Sequence, residues 1–207
     1  MEKAKTIEST VPGVVAHIYY DTDPECPEDD IVQIAYSSSR NCLGTQNCSR
    51  AELDEIRDGI ESGKYVGVRV WAYVHGGATI STGTKLHGDS KVRLRENPFS
   101  CPWDSGQSGF AYMTRENALR EWGKKRLSAQ QKAKALAYID GVVDTFDQYL
   151  RGDMYGYQVV DSRGGSDDVV DSCWGYYGMD DVTREAQDAM AAHITNTPVQ
   201  QELALES

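Results

Sequence analysis

Tyr65-Val66-Gly67-Val68-Arg69-Val70-Trp71-Ala72-Tyr73-Val74-His75-Gly76-Gly77-Ala78-Thr79-Ile80-Ser81-Thr82 decides the fold class. Val66, Val68, Val70 and Ala72 alternate with other residues, which makes one face of a strand apolar. His75-Gly76-Gly77-Ala78 then supplies a tight turn, and residues 79–82 return as the partner strand. A second hairpin reads from residues 155–161 and 169–177 across Arg163-Gly164-Gly165-Ser166. Hairpins mixed with helices, without strict strand–helix alternation, predict an α+β fold: an antiparallel sheet with helices packed mainly on one face.

Working outward, residues 14–20 and 31–36 are β-branched and aromatic and read as strands. Shorter strands are read at 92–95 and 109–113. Ser49 and Glu52 form a capping box for a helix with Leu53, Ile56 and Ile60 on one face, ending at Gly63. Thr114 opens a short helix that ends at Trp122-Gly123. Ser128 and Gln131 open a longer one, in which Leu136, Ile139, Val143, Phe146 and Leu150 form a core stripe that Gly152 closes. A last helix is expected over 183–194. No linker or repeat is visible. The expected organisation is a loose terminus over 1–10, one domain over 11–194 and a disordered tail over 195–207.

The chain has 207 residues and a net charge of −11. Hydrophobic content of 40% excludes wholesale disorder. Met1-Glu2-Lys3-Ala4-Lys5 does not begin like a secretion signal, and no apolar run approaches the ~20 residues of a membrane span. Five cysteines at irregular spacing fit reduced thiols. These features predict a cytoplasmic protein with no membrane partner. Charge is unevenly spread. Residues 21–30 hold Asp21, Asp23, Glu25, Glu28, Asp29 and Asp30 without a base, whereas 85–134 hold eleven Lys and Arg against five acids. One region suits anions and the others repel them.

Cys101-Pro102-Trp103-Asp104-Ser105-Gly106-Gln107-Ser108-Gly109-Phe110 sets an indole beside a carboxylate, a hydroxyl, an amide and two glycines. Asp104, Ser105 and Gln107 converging against Trp103 would make a polar pocket for a base, sugar or peptide group. The same residues also suit a demanding turn, with Trp103 plugging a sheet edge. Further on come Asp147-Gln148-Tyr149-Leu150 with Gly152-Asp153 and Tyr155-Gly156, then Asp171-Ser172-Cys173-Trp174-Gly175 with Tyr177-Gly178. In this order, across roughly residues 65–180, the strings resemble a family of small proteins encoded by bacteriophages and other mobile elements. The resemblance implies a phage-derived origin and assigns no activity, cofactor or catalytic residue. Ser108 stands where a small apolar residue is usual, and the 21–30 loop lies outside the resemblance.

Catalytic and metal readings fit poorly. Ser105 lacks the strand–helix elbow of a serine hydrolase, and its base would have to be His17, His75, His87 or His193. The calcium-like start at Asp21 has Cys26 and Val32 where a glycine and a bidentate Glu are needed. Cys42 and Cys48 are too widely spaced for a zinc knuckle, and Cys173 reads as a buried thiol. There is no phosphate loop or dinucleotide fingerprint, so no cofactor or metal is expected. Lys91, Arg93 and Arg95 would share one strand face. With Arg115, Arg120, Lys124, Lys125, Arg126 and nearby aromatics they suit a single strand or nucleotide, although the total charge opposes phosphate binding.

The sequence therefore points first to a non-enzymatic phage accessory protein that binds a host macromolecule. In this reading it inhibits a defence or nucleic-acid-handling protein through an acidic surface that mimics nucleic acid. Its candidate contacts are Asp21, Asp23, Glu25, Glu28, Asp29 and Asp30, with a second acidic group at Asp167, Asp168, Asp171, Asp180 and Asp181. The alternative is a small-ligand or single-stranded nucleic-acid binder using Trp103, Asp104, Ser105 and Gln107 with the basic segment. A third is an enzyme on a nucleotide or protein substrate with Asp104 as general base.

Overall fold

A computed structural model describes residues 1–87, 90–123 and 126–197, and for 84–95 the backbone alone. In chain order come β1 (Lys3–Glu8), β2 (Val14–Tyr20), β3 (Gln33–Tyr36), β4 (Gln46–Asn47) and α1 (Arg50–Glu61). Then follow β5 (Tyr65–Val74), β6 (Ala78–Ser81), β7 (Thr84–His87), β8 (Ser90–Arg95), β9 (Ser105–Thr114) and α2 (Arg115–Trp122). Last are α3 (Ala129–Arg151), β10 (Met154–Asp161), β11 (Asp168–Tyr177) and α4 (Met179–Asn196). The α+β class is what the chain adopts, in sheets that are antiparallel except for the β3–β4 pair.

The chain forms two compact units. The first joins residues 1–25 to 153–207, and the second is the continuous stretch 26–152. No linker betrays the boundary, because the first unit is assembled from both chain ends. Its sheet runs β1-β2-β10-β11. The expected loose start is a paired strand, Glu8 facing Val15 and Thr6 facing His17, and Ile7 packs on the core. Burial of Ile7 and a backbone ladder outweigh the polarity of the first ten residues. Val14, Ala16 and Ile18 of β2 and Tyr155, Tyr157 and Val159 of β10 face Val182, Ala186 and Met190 of α4. Helix α4 starts earlier than expected, with Asp180 and Asp181 favouring its N-terminal dipole in place of a side-chain cap.

In the second unit the sheet order is β4-β3-β9-β5-β6, with β7 and β8 as a separate ribbon. One face meets Ile139, Val143 and Phe146 of α3, as the stripe predicts. The other face is covered by α1, where Ile56 packs with Phe110 and Ala35, so helices occupy both sides of this sheet. The hairpin of β5 and β6 forms with Trp71 opposite Ser81 and Val74 opposite Ala78. Both capping boxes form, and Gly152 ends α3 in a left-handed conformation.

Several residues behind the family resemblance have structural work. Asp147 of α3 accepts hydrogen bonds from the Thr79 hydroxyl, the Ile80 amide and Arg151 Nε, locking the helix to β6. Gly156 leaves room for the Trp174 ring, which any Cβ there would strike. Gly109 lets β9 approach the Ala35 carbonyl of β3 in the same way. Among the described residues no helix is long and apolar enough to cross a membrane. The expected tail beyond residue 197, and Lys124 and Lys125, lie outside the described residues, as do the side chains of Lys91, Arg93 and Arg95.

An ionic knot closes the first unit. Asp161 at the end of β10 takes Arg163 Nη2 at 2.6 Å, Arg163 Nε at 2.9 Å and His193 Nε2 of α4 at 2.8 Å. These hydrogen bonds hold its carboxyl well below the usual carboxylate range. A depressed carboxylate stabilises the fold above the ordinary value near ~4 and loses that contribution as pH falls toward its own titration. Asp161→Asn is expected to lower stability by about 1–3 kcal/mol at neutral pH. Thermal unfolding should show the gap from wild type narrowing as pH drops below ~4. A gap that stays constant into strong acid would contradict this role.

Candidate functional site

Strand β9 begins at Ser105, so the indole-bearing stretch is half turn and half strand. Ser105 lies opposite Tyr73 and Gln107 opposite Trp71. Trp103 stands at the turn with 92% of its surface exposed and plugs nothing. The Asp104 carbonyl accepts the Val74 amide at 2.9 Å. Its carboxylate Oδ2 meets His75 Nδ1 at 3.1 Å and the Cys101 thiol at 3.6 Å. Ser105 donates to the Cys101 carbonyl at 2.6 Å and accepts from Asn97 Nδ2 at 3.2 Å. The His75 ring stacks on Tyr73, which also touches Phe99.

These contacts separate the polar trio. Asp104 and Ser105 tie the turn to β5 and to Cys101, while Gln107 belongs to a groove on the α1 face of the sheet. The Ser105 proton is committed to a carbonyl, which leaves the hydroxyl without the base that nucleophilic attack needs. His75 is 71% exposed and shares Asp104 with Cys101, an arrangement open to water rather than one that excludes it.

The groove runs between α1 and the strands β5 and β9. A hollow of about 350 Å³ is lined by Arg50, Arg57, Arg69, Gln107, Ser108 and Phe110, among others. A second, of about 190 Å³, shares Arg57, Arg69 and Phe110 with it and adds Ile60, Gly67 and Val68. Arg57 pairs with Asp54 at 2.7 Å and Asp58 at 3.1 Å. Arg50 and Arg69 have no ion-pair partner among the described residues. Sequence reasoning placed the cationic site in 85–134 and missed these three. Their signal was present: Arg50 and Arg57 are seven residues apart on one helix face, and Arg69 alternates out from Val68 and Val70.

The acidic segment is divided. Asp21, Asp23 and Glu25 belong to the first unit, and Glu28, Asp29 and Asp30 to the second. Asp21 accepts the Asp23 amide. Asp29 caps the Ile31 and Val32 amides and accepts the Tyr138 hydroxyl at 2.7 Å, which pushes that phenol up to about 12. Glu28 and Asp29 line a small cleft of about 120 Å³ over Phe146. Asp29 is therefore a structural carboxylate.

Charge follows the units. The first holds sixteen acids and four bases, net −12, and the second sixteen acids and seventeen bases, net +1. Strand β11 is the edge of the first sheet and is exposed from Asp168 to Gly175. Asp167, Asp168 and Asp171 stand there with Val169, Val170 and Trp174. Cys173, expected to be buried, is exposed on the same strand. Among the described residues no three His, Cys, Asp or Glu groups gather to hold a metal. No protein-family model, curated protein or solved structure matches the chain.

Because Trp103 makes no packing contact of consequence, Trp103→Ala should leave stability within about 0.5 kcal/mol of wild type. Ser105→Ala removes two hydrogen bonds and should cost about 1–2 kcal/mol in denaturant unfolding. The reverse ranking would show the indole to be a structural plug.

Proposed function

We propose that the chain is a non-enzymatic binding protein that engages a cationic protein of a host cell through the exposed acidic edge of its first unit. The observation that carries this is the edge strand β11, where Asp167, Asp168 and Asp171 stand at or beside the exposed Val169, Val170 and Trp174, in a unit whose net charge is negative. A free edge offers backbone donors and acceptors to an added strand, and its apolar side chains contribute contact area. Flanking carboxylates select for Lys and Arg and repel phosphate. A surface of this kind competes for a nucleic-acid-binding site on its target. The setting, a phage or mobile-element accessory acting against a host defence or nucleic-acid-handling protein in the cytoplasm, rests on the motif resemblance alone.

The test is fluorescence anisotropy with a labelled peptide of alternating lysine and valine. The triple variant Asp167→Asn/Asp168→Asn/Asp171→Asn should weaken binding by about tenfold or more, and high salt should do the same. A matched triple elsewhere in the unit, Glu2→Gln/Glu8→Gln/Asp188→Asn, should cost less than about threefold. Equal losses from both triples would reduce the effect to bulk charge, and preferential binding of a single-stranded oligonucleotide would overturn the reading.

A further inference from the structure

The groove of the second unit has a different chemistry from β11, and its lining divides into two ends. At one end Arg50, Gln107 and Ser108 surround the larger hollow. At the other, Ile60, Gly67 and Val68 make an apolar chamber with Glu61 at its rim. Arg57, Arg69 and Phe110 line both and join them. Glycine lets α1 pack closely on the strand beside this chamber. Any Cβ at Gly67 would crowd Ile60 and Tyr112, so the strand passes under α1 without a side chain there.

Charge counting narrows the ligand. Three arginines, Arg50, Arg57 and Arg69, line the hollows against two carboxylates, Asp54 and Glu61; Arg57 is paired with Asp54 and Asp58, and the planar forks of Arg50 and Arg69 have no ion-pair partner among the described residues. Two free guanidiniums on an apolar floor suit a dianion, and their fork geometry suits phosphate oxygens bound in pairs. The combined hollow is of the size that takes a small molecule rather than a strand of several nucleotides. The apolar chamber suits a flat ring, and the Glu61 carboxylate offers an acceptor to an amino group on that ring's edge. We propose that this groove binds a phosphomonoester carried on a flat, amino-bearing ring, of which adenosine monophosphate is the simplest example.

One stretch of sequence both anchors and walls this groove. Gln107, Ser108, Gly109 and Phe110 are the second half of the Trp103 stretch, and all four line the groove. The first half, Asp104 and Ser105, fixes the turn that sets where β9 starts. One stretch thus contributes both the anchor and the wall.

Isothermal titration of the full chain with adenosine monophosphate, adenosine, ribose 5-phosphate and a 5′-phosphorylated single strand decides the matter. Adenosine monophosphate should bind with Kd below about 1 mM, and adenosine and ribose 5-phosphate at least about tenfold more weakly. Arg69→Gln should weaken the monophosphate by about tenfold or more, with Arg50→Gln as a second variant on another element. Arg120→Gln, an exposed arginine paired with Glu121 on α2, should change it by less than about twofold. Three results would overturn the assignment: no heat from the monophosphate at about 10 mM, adenosine binding as tightly as the monophosphate, or an unaltered Arg69→Gln. Binding of the phosphorylated strand without the mononucleotide would also overturn it, in favour of a nucleic-acid end.

Discussion

The first unit depends on one long-range ladder. Val14–Tyr20 pairs with Tyr155–Asp161, Tyr20 facing Tyr155 and Val14 facing Asp161, and so joins the beginning of the chain to a segment beyond residue 150. The side chains that this register turns inward are the apolar ones, Ala16, Ile18, Tyr157 and Val159. A slip of one residue would turn them out and bring His17 and Gln158 in. The pairing closes a loop of more than a hundred residues, whose entropic cost grows only slowly with length. Burial of two strand faces beneath α4 offsets it.

That ladder also sets the electrostatics. Residues near both termini are acidic, and pairing them gathers fourteen acids among the described residues into one small unit. Helix α4 covers one face of the sheet, β1 takes one edge, and β11 is left as the other. Acidic side chains and bulges on a free edge discourage pairing with copies of the same chain, because like charges would meet. The same carboxylates favour a basic strand.

The helices and most hairpins were legible because their signals are local: capping boxes at Ser49 and Ser128, the stripe through Phe146, the glycines after Val74 and Arg163. Two things were not. The division into units was hidden because it arises from contacts between distant segments, whereas a linker would have marked it in the sequence. The strand at Lys3–Glu8 was hidden because only Ile7 among its residues is strongly apolar, and pairing with β2 decides its state. The candidate sites divide along the same line. Exposure of Trp103 and the turn chemistry of Asp104 and Ser105 lie within a few residues of one another. The groove draws Arg50, Arg69 and Gln107 from three separate elements. Gln107, grouped by sequence with Trp103, Asp104 and Ser105, lines the groove instead.

Amide hydrogen exchange on the whole chain, with and without a basic strand-forming peptide, tests most directly whether the acidic edge is the recognition surface. Slowed exchange is predicted at alternate amides from Asp168 to Gly175, with the groove residues of α1 and β9 unchanged. Protection confined to α1, β5 and β9, or none along β11, would contradict the account.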